Sequence, residues 1–427
     1  MPSCPAIVSV APGCARDLFA ALEGLPDPRR TTWRRHRLGF VLAVVLSAFT
    51  MPGFGSLVGA AQWAGDRTRD QLLVLGGSAD PLTGIVFAPS ESTIRRLLTT
   101  LDPHALTVAC VAWTLARLRD VEQHEAQAAD RAAAEQRGAQ LGAELKALAM
   151  DGKCVRGARR TDGSMPQFMA AVTHERPVVV GQRQIPDKTS EIRAVATLLA
   201  DLAGAGWDLR STVVTLDALH TVRSTAQAIV ETGANYVMTV KGNRATLYAQ
   251  CAAICARSGQ DQDQARDIDV DIQTSRGHGR TEERRVVAVT ITEADNIDFP
   301  GAAQIFRIVR YTGGLDGPRL TKEVVYGITS LTREQAGAAI LARLVRGHWQ
   351  VENGLHYVKD VTFAEDLSRA RTGHLPAVLS AVRNTVISAL RLAGATNIAQ
   401  ARRWAAGSPE RTISLYSAGA NQDIRTL

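Results

Sequence analysis

Little in this chain would staple it together or anchor it. Its 427 residues hold 6 cysteines, at positions 4, 14, 110, 154, 251 and 255, with no CxxC pair and no regular spacing. A disulfide framework is therefore excluded, and a reducing cytoplasm is expected. Cys251 and Cys255, one helical turn apart in LYAQCAAICAR, read as small core residues. No phosphate-cradling loop exists: DGKCVRGARR has glycines and a lysine but not the GxxxxGK[ST] order, which argues against a nucleotide-driven motor. No GxSxG elbow supports a serine hydrolase. No purely polar stretch exceeds a loop, and with 45% apolar and 21% charged residues the chain is globular rather than disordered. The opening MPSCPAIVSVAPGCARD lacks the basic start of a secretory signal. One uncharged run, LGFVLAVVLSAFTMPGFGSLVGAAQWAG at 38–65, is long enough to cross a bilayer. Met51-Pro52-Gly53 interrupts it, so two core helices joined by a turn are expected instead of a membrane span.

What is present is a modest basic excess, net +7, with Arg29, Arg30, Arg34, Arg35 and Arg37 crowded into DPRRTTWRRHR. It favours a polyanionic partner. Residues 1–118 read as a helical N-terminal domain, in which Ser and Glu of PSESTIRRLL cap a helix showing Arg95 and Arg96 to solvent, suited to a DNA groove or to packing. A polar helical spacer follows at 119–142. From 143 the period shortens: three successive strands, then alternating helix and strand to 258, the order of a mixed sheet with helices on its faces. Residues 259–332 alternate as antiparallel β-rich segments. Helical periodicity returns over 333–395, and 396–427 reads as a basic tail.

Three acids stand where apolar residues are expected. In AAILARLVRGHWQVENGLHYVK the stripe Leu341, Leu344, Val345, His348, Glu352, Leu355, Lys359 puts Glu352 in a core-facing slot. Asp151 ends the apolar run LKALAMD and Asp217 ends STVVTLD. Converging at one sheet edge, three carboxylates would stay ionised only with divalent cations between them, and hard oxygen ligands in small number suit two Mg²⁺ ions. Such a pair serves in-line phosphoryl displacement. His348, Glu352 and His356, at i, i+4, i+8 spacing, could instead hold zinc, although the two aspartates favour magnesium.

The segments DGKCVRGA, QIPDKTSEI, VVTLDALHT, YVMTVKGN and RGHWQVENGLHYVKDVTFAEDLSRARTGH closely resemble the ISAs-type and H-repeat-associated (Rhs-linked) insertion-sequence transposases, in order from about 15 to 395. The resemblance implies a DDE catalytic domain of ribonuclease H-like α/β fold, with Asp151, Asp217 and Glu352 as triad and metal ligands. It also implies a β-rich insertion before the glutamate and a helical N-terminal region associated with DNA binding. The wider superfamily carries Y-x2-R-x3-E-x6-K; here Lys359 fits, whereas Val345 and His348 stand at the tyrosine and arginine positions, with Arg346 one step out of register.

Lys359 is thus expected on phosphate, together with His348 or Arg346; Lys153, Arg156 and Lys241 would meet phosphates if the sheet edge is the site. Trp349 is expected in the core, with stacking on an unpaired base as the other role. Arg369 and Arg371 are expected to pair with Glu365 or Asp366. The implied activity is cleavage of element ends and strand transfer with Mg²⁺, Mn²⁺ substituting, by a homodimer on double-stranded DNA in the bacterial cytoplasm and nucleoid, without membrane contact. A DNA-binding derivative without cleavage, and a nuclease without joining, are the alternatives.

Overall fold

The computed structural model describes residues 17–135, 145–185, 191–257, 267–277, 279–314 and 319–417. After α1 (Leu18–Glu23), the uncharged run becomes α2 (Leu38–Thr50) and α3 (Leu57–Gly65). α2 is buried on every side, the fate of a helix that is apolar all round. Among the described residues no helix is long and apolar enough to cross a membrane. α4 (Arg69–Val74) and α5 (Glu91–Thr100) follow; the Ser90 hydroxyl accepts the Thr93 N–H at the start of α5, and Arg95 and Arg96 are exposed. α6 (Pro103–Glu135) runs without a break through position 118. The described part of the expected spacer is therefore a continuation of a bundle helix; 136–142 lie outside the described residues.

The sheet among the described residues has nine strands in the order β3-β2-β1-β4-β5-β9-β8-β7-β6. β1 (Lys146–Cys154), β2 (Gln167–Thr173) and β3 (Val179–Ile185) form an antiparallel meander. α7 (Glu191–Gly204) leads to β4 (Thr212–Leu216), parallel to β1, and α8 (Arg223–Glu231) to β5 (Asn235–Val240), parallel to β4. After α9 (Ala245–Arg257) come β6 (Ile268–Gly277), β7 (Arg280–Thr290), β8 (Gln304–Gly314) and β9 (Arg319–Thr329). β9 pairs antiparallel with β5. The β-rich region is therefore an arm of the same sheet, not a sheet apart: β5 would otherwise be an open edge, and β9 satisfies its backbone groups.

Alternation decides what each face meets. Leu148, Met150, Val214, Leu216, Tyr236 and Met238 join the core under α7, α8 and α9. Val213 and Val237 turn the other way, against α10 (Ala338–Gln350), while Ala149 meets the N-terminal bundle and α11 (Leu375–Leu392). The expected tail is instead two helices, α12 (Ile398–Ala405) and α13 (Pro409–Ser414), docked on that bundle. The carbonyls at the end of α2 lack helical donors, and Arg402 supplies two: its guanidinium donates to Phe49 O (3.2 Å) and to Met51 O (2.7 Å) just past the helix, and it also donates to the distant Thr362 O (2.7 Å). Tyr416 completes the join, with its hydroxyl 2.6 Å from Thr50 Oγ1 and its carbonyl accepting Leu18 N–H at 2.9 Å.

Candidate active site

Two of the three acids meet through strand parity. β1 and β4 run parallel with Ala149 opposite Thr215, so Asp151 and Asp217, each two residues further on, fall side by side on the face that α10 covers. β1 continues past Asp151 to Cys154, whereas β4 stops at Leu216; Asp217 thus sits in the turn at the strand's C-terminal end, its Oδ1 accepting Leu219 N–H at 3.0 Å. Ligand sites of parallel sheets form at such ends.

Glu352 arrives from the other side. After α10 the backbone widens into π-helical turns, Val351–His356 and Val358–Thr362, with Tyr357 N–H bonded to Glu352 O, five residues back. This shift corrects the expected stripe. Val351 and Leu355 take the core positions, while the Glu352 side chain is 53% exposed at the rim of the cleft. Asp151, Asp217 and Glu352 line that one cleft, of about 420 Å³. Nδ1 of buried His356 lies 3.1 Å from Glu352 Oε2 and 3.6 Å from Asp151 Oδ2. One donor atom from each of these three lies within 4.8 Å of the others, a group able to hold a cation.

The electrostatics of the two carboxyls differ. Burial pushes Asp151 upward, and its neighbours Asp217 and Glu352 add to this against the opposing pull of His356. Glu352 is held low, chiefly by its hydrogen bond with His356. Beneath them runs a buried chain: His174 Nε2 to Thr215 Oγ1 (2.9 Å), and Thr215 Oγ1 to His348 Nδ1 (3.1 Å). Burial lowers His348, and lowers His174 to about 3, so both are neutral near pH 7. α10 can lie this close because position 347 is glycine; a Cβ there would stand 2.1 Å from His174 Nδ1. Gly347→Ala is therefore expected to displace the imidazole, break its bond to Thr215 and lower stability by about 1–3 kcal/mol, read as a fall in the urea midpoint.

The basic residues divide. Arg346 and Lys241 are exposed on the cleft wall. His348 lines the cleft too, but its Nδ1 turns to Thr215, so the zinc grouping of His348 with Glu352 and His356 does not form and Asp151 takes its place. Lys153 is nearly buried and bound to Asp360 (2.7 Å), while Arg156 is largely exposed, 3.8 Å from Asp366. Lys359 corrects the sequence reading: it is 2% exposed, its ammonium 3.2 Å from Glu365 and donating to Ser380 Oγ at 2.7 Å. It is a buried structural cation, not a phosphate contact. Glu365 also binds Arg383 (3.2 Å), so Arg369 and Arg371, both exposed, have no pairing there. Trp349 is 62% exposed on the cleft wall, not in the core. In the basic run, Arg29 is bound to Asp27 and to His36 O (2.7 Å). Thr215 and His174 were missed; the two-residue spacing of Thr215 from Asp217 was the available signal for the first, and none pointed to the second.

The Transposase DDE domain family matches residues 143–375, and the DDE_Tnp_1-associated family matches residues 19–114. The "Putative transposase YncI" of Escherichia coli O157:H7 is 25% identical over 389 residues, 88% of this chain and 87% of that protein. The "H repeat-associated putative transposase YhhI" of Escherichia coli (strain K12) is 25% identical over 388 residues, 88% of this chain and 90% of that one. Among solved structures, a piggyBac transposase synaptic complex with hairpin DNA aligns at a TM-score of 0.37 and 12% identity, over 95% of this chain and 81% of that one, too slight a likeness to carry an argument. With more than half its length matched, the chain belongs to the DDE transposase family.

Proposed function

We propose that this protein cleaves DNA at the ends of its own insertion element and joins the freed 3′ hydroxyls to target DNA, with Asp151, Asp217 and Glu352 as ligands of two Mg²⁺ ions, Mn²⁺ substituting. The observation that carries the reading is that these three carboxylates, from β1, the end of β4 and the π-helical turn, line one cleft. Their donor chemistry fits: hard oxygens, partly solvated and few enough to leave room for water and phosphate. The chemistry supplied by the bound cations is activation of the attacking oxygen and stabilisation of the leaving one. In this reading strands β3-β2-β1-β4-β5 form a ribonuclease H-like core, 143–258 and 333–395 make one catalytic domain, 259–332 is its β arm, and 1–118 a DNA-associated helical domain carrying Arg95 and Arg96.

The protein's own residues bind and orient. Arg346 and Lys241 hold backbone phosphates on the cleft wall, Arg156 extends that track at the rim, and Trp349 stacks on a base unpaired near the cut. His348, kept neutral by burial and fixed by Thr215, holds the wall beside Asp217 rather than bearing charge. Lys153 keeps Asp360 and Asp366 paired, so that these acids do not add to the negative charge of the cleft. The partner is double-stranded DNA, bound by a homodimer that brings two ends together in the bacterial cytoplasm. Incubating the protein with labelled element ends, supercoiled target and Mg²⁺ is expected to give joined products. Nicked ends without joining would mark a nuclease, and binding without nicking a DNA-binding derivative.

A further inference from the structure

Packing alone does not account for the buried His356. It is 5% exposed, and its Nε2 finds no hydrogen-bond partner among the described residues. An imidazole buried with one nitrogen unsatisfied stabilises a fold less than an apolar side chain of its size would. Its other nitrogen, Nδ1, faces both Glu352 Oε2 (3.1 Å) and Asp151 Oδ2 (3.6 Å). Adjacent ligands on a six-coordinate ion with bonds of about 2.1 Å stand about 3 Å apart, so these separations are close to those of donors sharing one ion. An ion pair with Glu352 alone would not require Nδ1 to approach Asp151 as well. The backbone is specialised at the same point: both Glu352 and His356 lie in the π-helical segment, a rare geometry that concentrates at functional sites. Asp217 stands outside the three-residue group and is left for a second ion.

We infer that His356 is a nitrogen ligand of the cation held between Asp151 and Glu352, which makes this half of the site a mixed oxygen and nitrogen one that prefers a first-row transition ion such as Mn²⁺ to Mg²⁺. The inference rests on the proposed function in taking those carboxylates as ligands. Imidazole is a poor partner for Mg²⁺ and a good one for Mn²⁺, Co²⁺ and Zn²⁺, so the added nitrogen shifts selectivity without altering the carboxylates.

Pulsed electron paramagnetic resonance of the full chain loaded with Mn²⁺ alone reads direct ¹⁴N coordination, independently of any DNA chemistry. Wild-type protein is expected to show ¹⁴N modulation that changes to the ¹⁵N pattern on [¹⁵N]histidine labelling and disappears in His356→Phe and His356→Gln. Competition between Mn²⁺ and Mg²⁺ should show a Mn²⁺ preference that falls about tenfold or more in both variants. Bound Mn²⁺ without ¹⁴N modulation in the wild type, or modulation that persists in a folded His356 variant, overturns the assignment. In either of those cases, joined products from the wild type in Mg²⁺ would leave the proposed function standing. Failure of the wild type to bind Mn²⁺ and to join DNA would overturn both.

Discussion

Glu352→Gln and Asp151→Asn are each expected to lower end cleavage and strand joining by at least about 10³-fold, roughly 4 kcal/mol of transition-state stabilisation, while binding of element ends stays within a few-fold of wild type. The substitutions keep volume and remove charge. An amide is a weak ligand for a hard divalent ion, so the cation is lost from a place where burial already disfavours the Asp151 carboxylate. Binding should survive because the exposed cations of the cleft wall, Arg346 and Lys241, are untouched. Single-turnover cleavage and gel-shift assays with the same labelled end measure both quantities. Unchanged cleavage by a folded Glu352→Gln protein would remove this glutamate from the mechanism.

The second large effect concerns stability. Glu365 is fully buried, and Lys359 and Arg383, themselves buried, both stand 3.2 Å from its Oε1. Glu365→Ala would strand two cations out of water, and a loss of about 3–5 kcal/mol is expected, read from urea or thermal unfolding. Adding Lys359→Met should recover part of that loss, since the lysine is then no longer an unpaired buried charge. Burial alone would raise the Glu365 carboxyl, but Lys359 and Arg383 outweigh it and hold the group below its ordinary 4.5. A carboxyl lowered in the folded state contributes fully above its unfolded value, and that contribution fades as pH falls through the lower folded one. Acid unfolding should therefore steepen below pH 4.5 in the wild type, and Glu365→Ala should lose that part of the slope.

Strand parity was legible because it is local. The runs LKALAMD and STVVTLD each end an alternating apolar series in an acid, and both acids emerge on one face once β1 and β4 pair in parallel. The helix face of Glu352 was not legible, because a stripe of period 3.6 residues assumes an unbroken α-helix and the chain departs from it at Val351. Lys359 deceived for another reason. Its spacing from Glu352 fitted a phosphate-binding signature, yet its partners are Glu365, beyond a turn in which Ala364 takes a left-handed backbone (φ 51°), and Ser380 on α11. Neither contact leaves a periodic trace in sequence. The β-rich segments were readable as strands, but the docking of β9 on β5 was not, since alternation says which face a strand buries and not which neighbour it joins.

The hold of Arg402 and Tyr416 on the helices around α2 bears on how the protein is made. Leu18, Thr50 and Met51 all find partners more than three hundred positions downstream. While the ribosome is still translating the sheet, α1, α3 and α5 can pack on the apolar α2, but the cover supplied by α11 and α13 does not yet exist. The amino-terminal bundle must wait, unsealed, until the last helices emerge, and through that interval it is the part of the nascent polypeptide most in need of a chaperone.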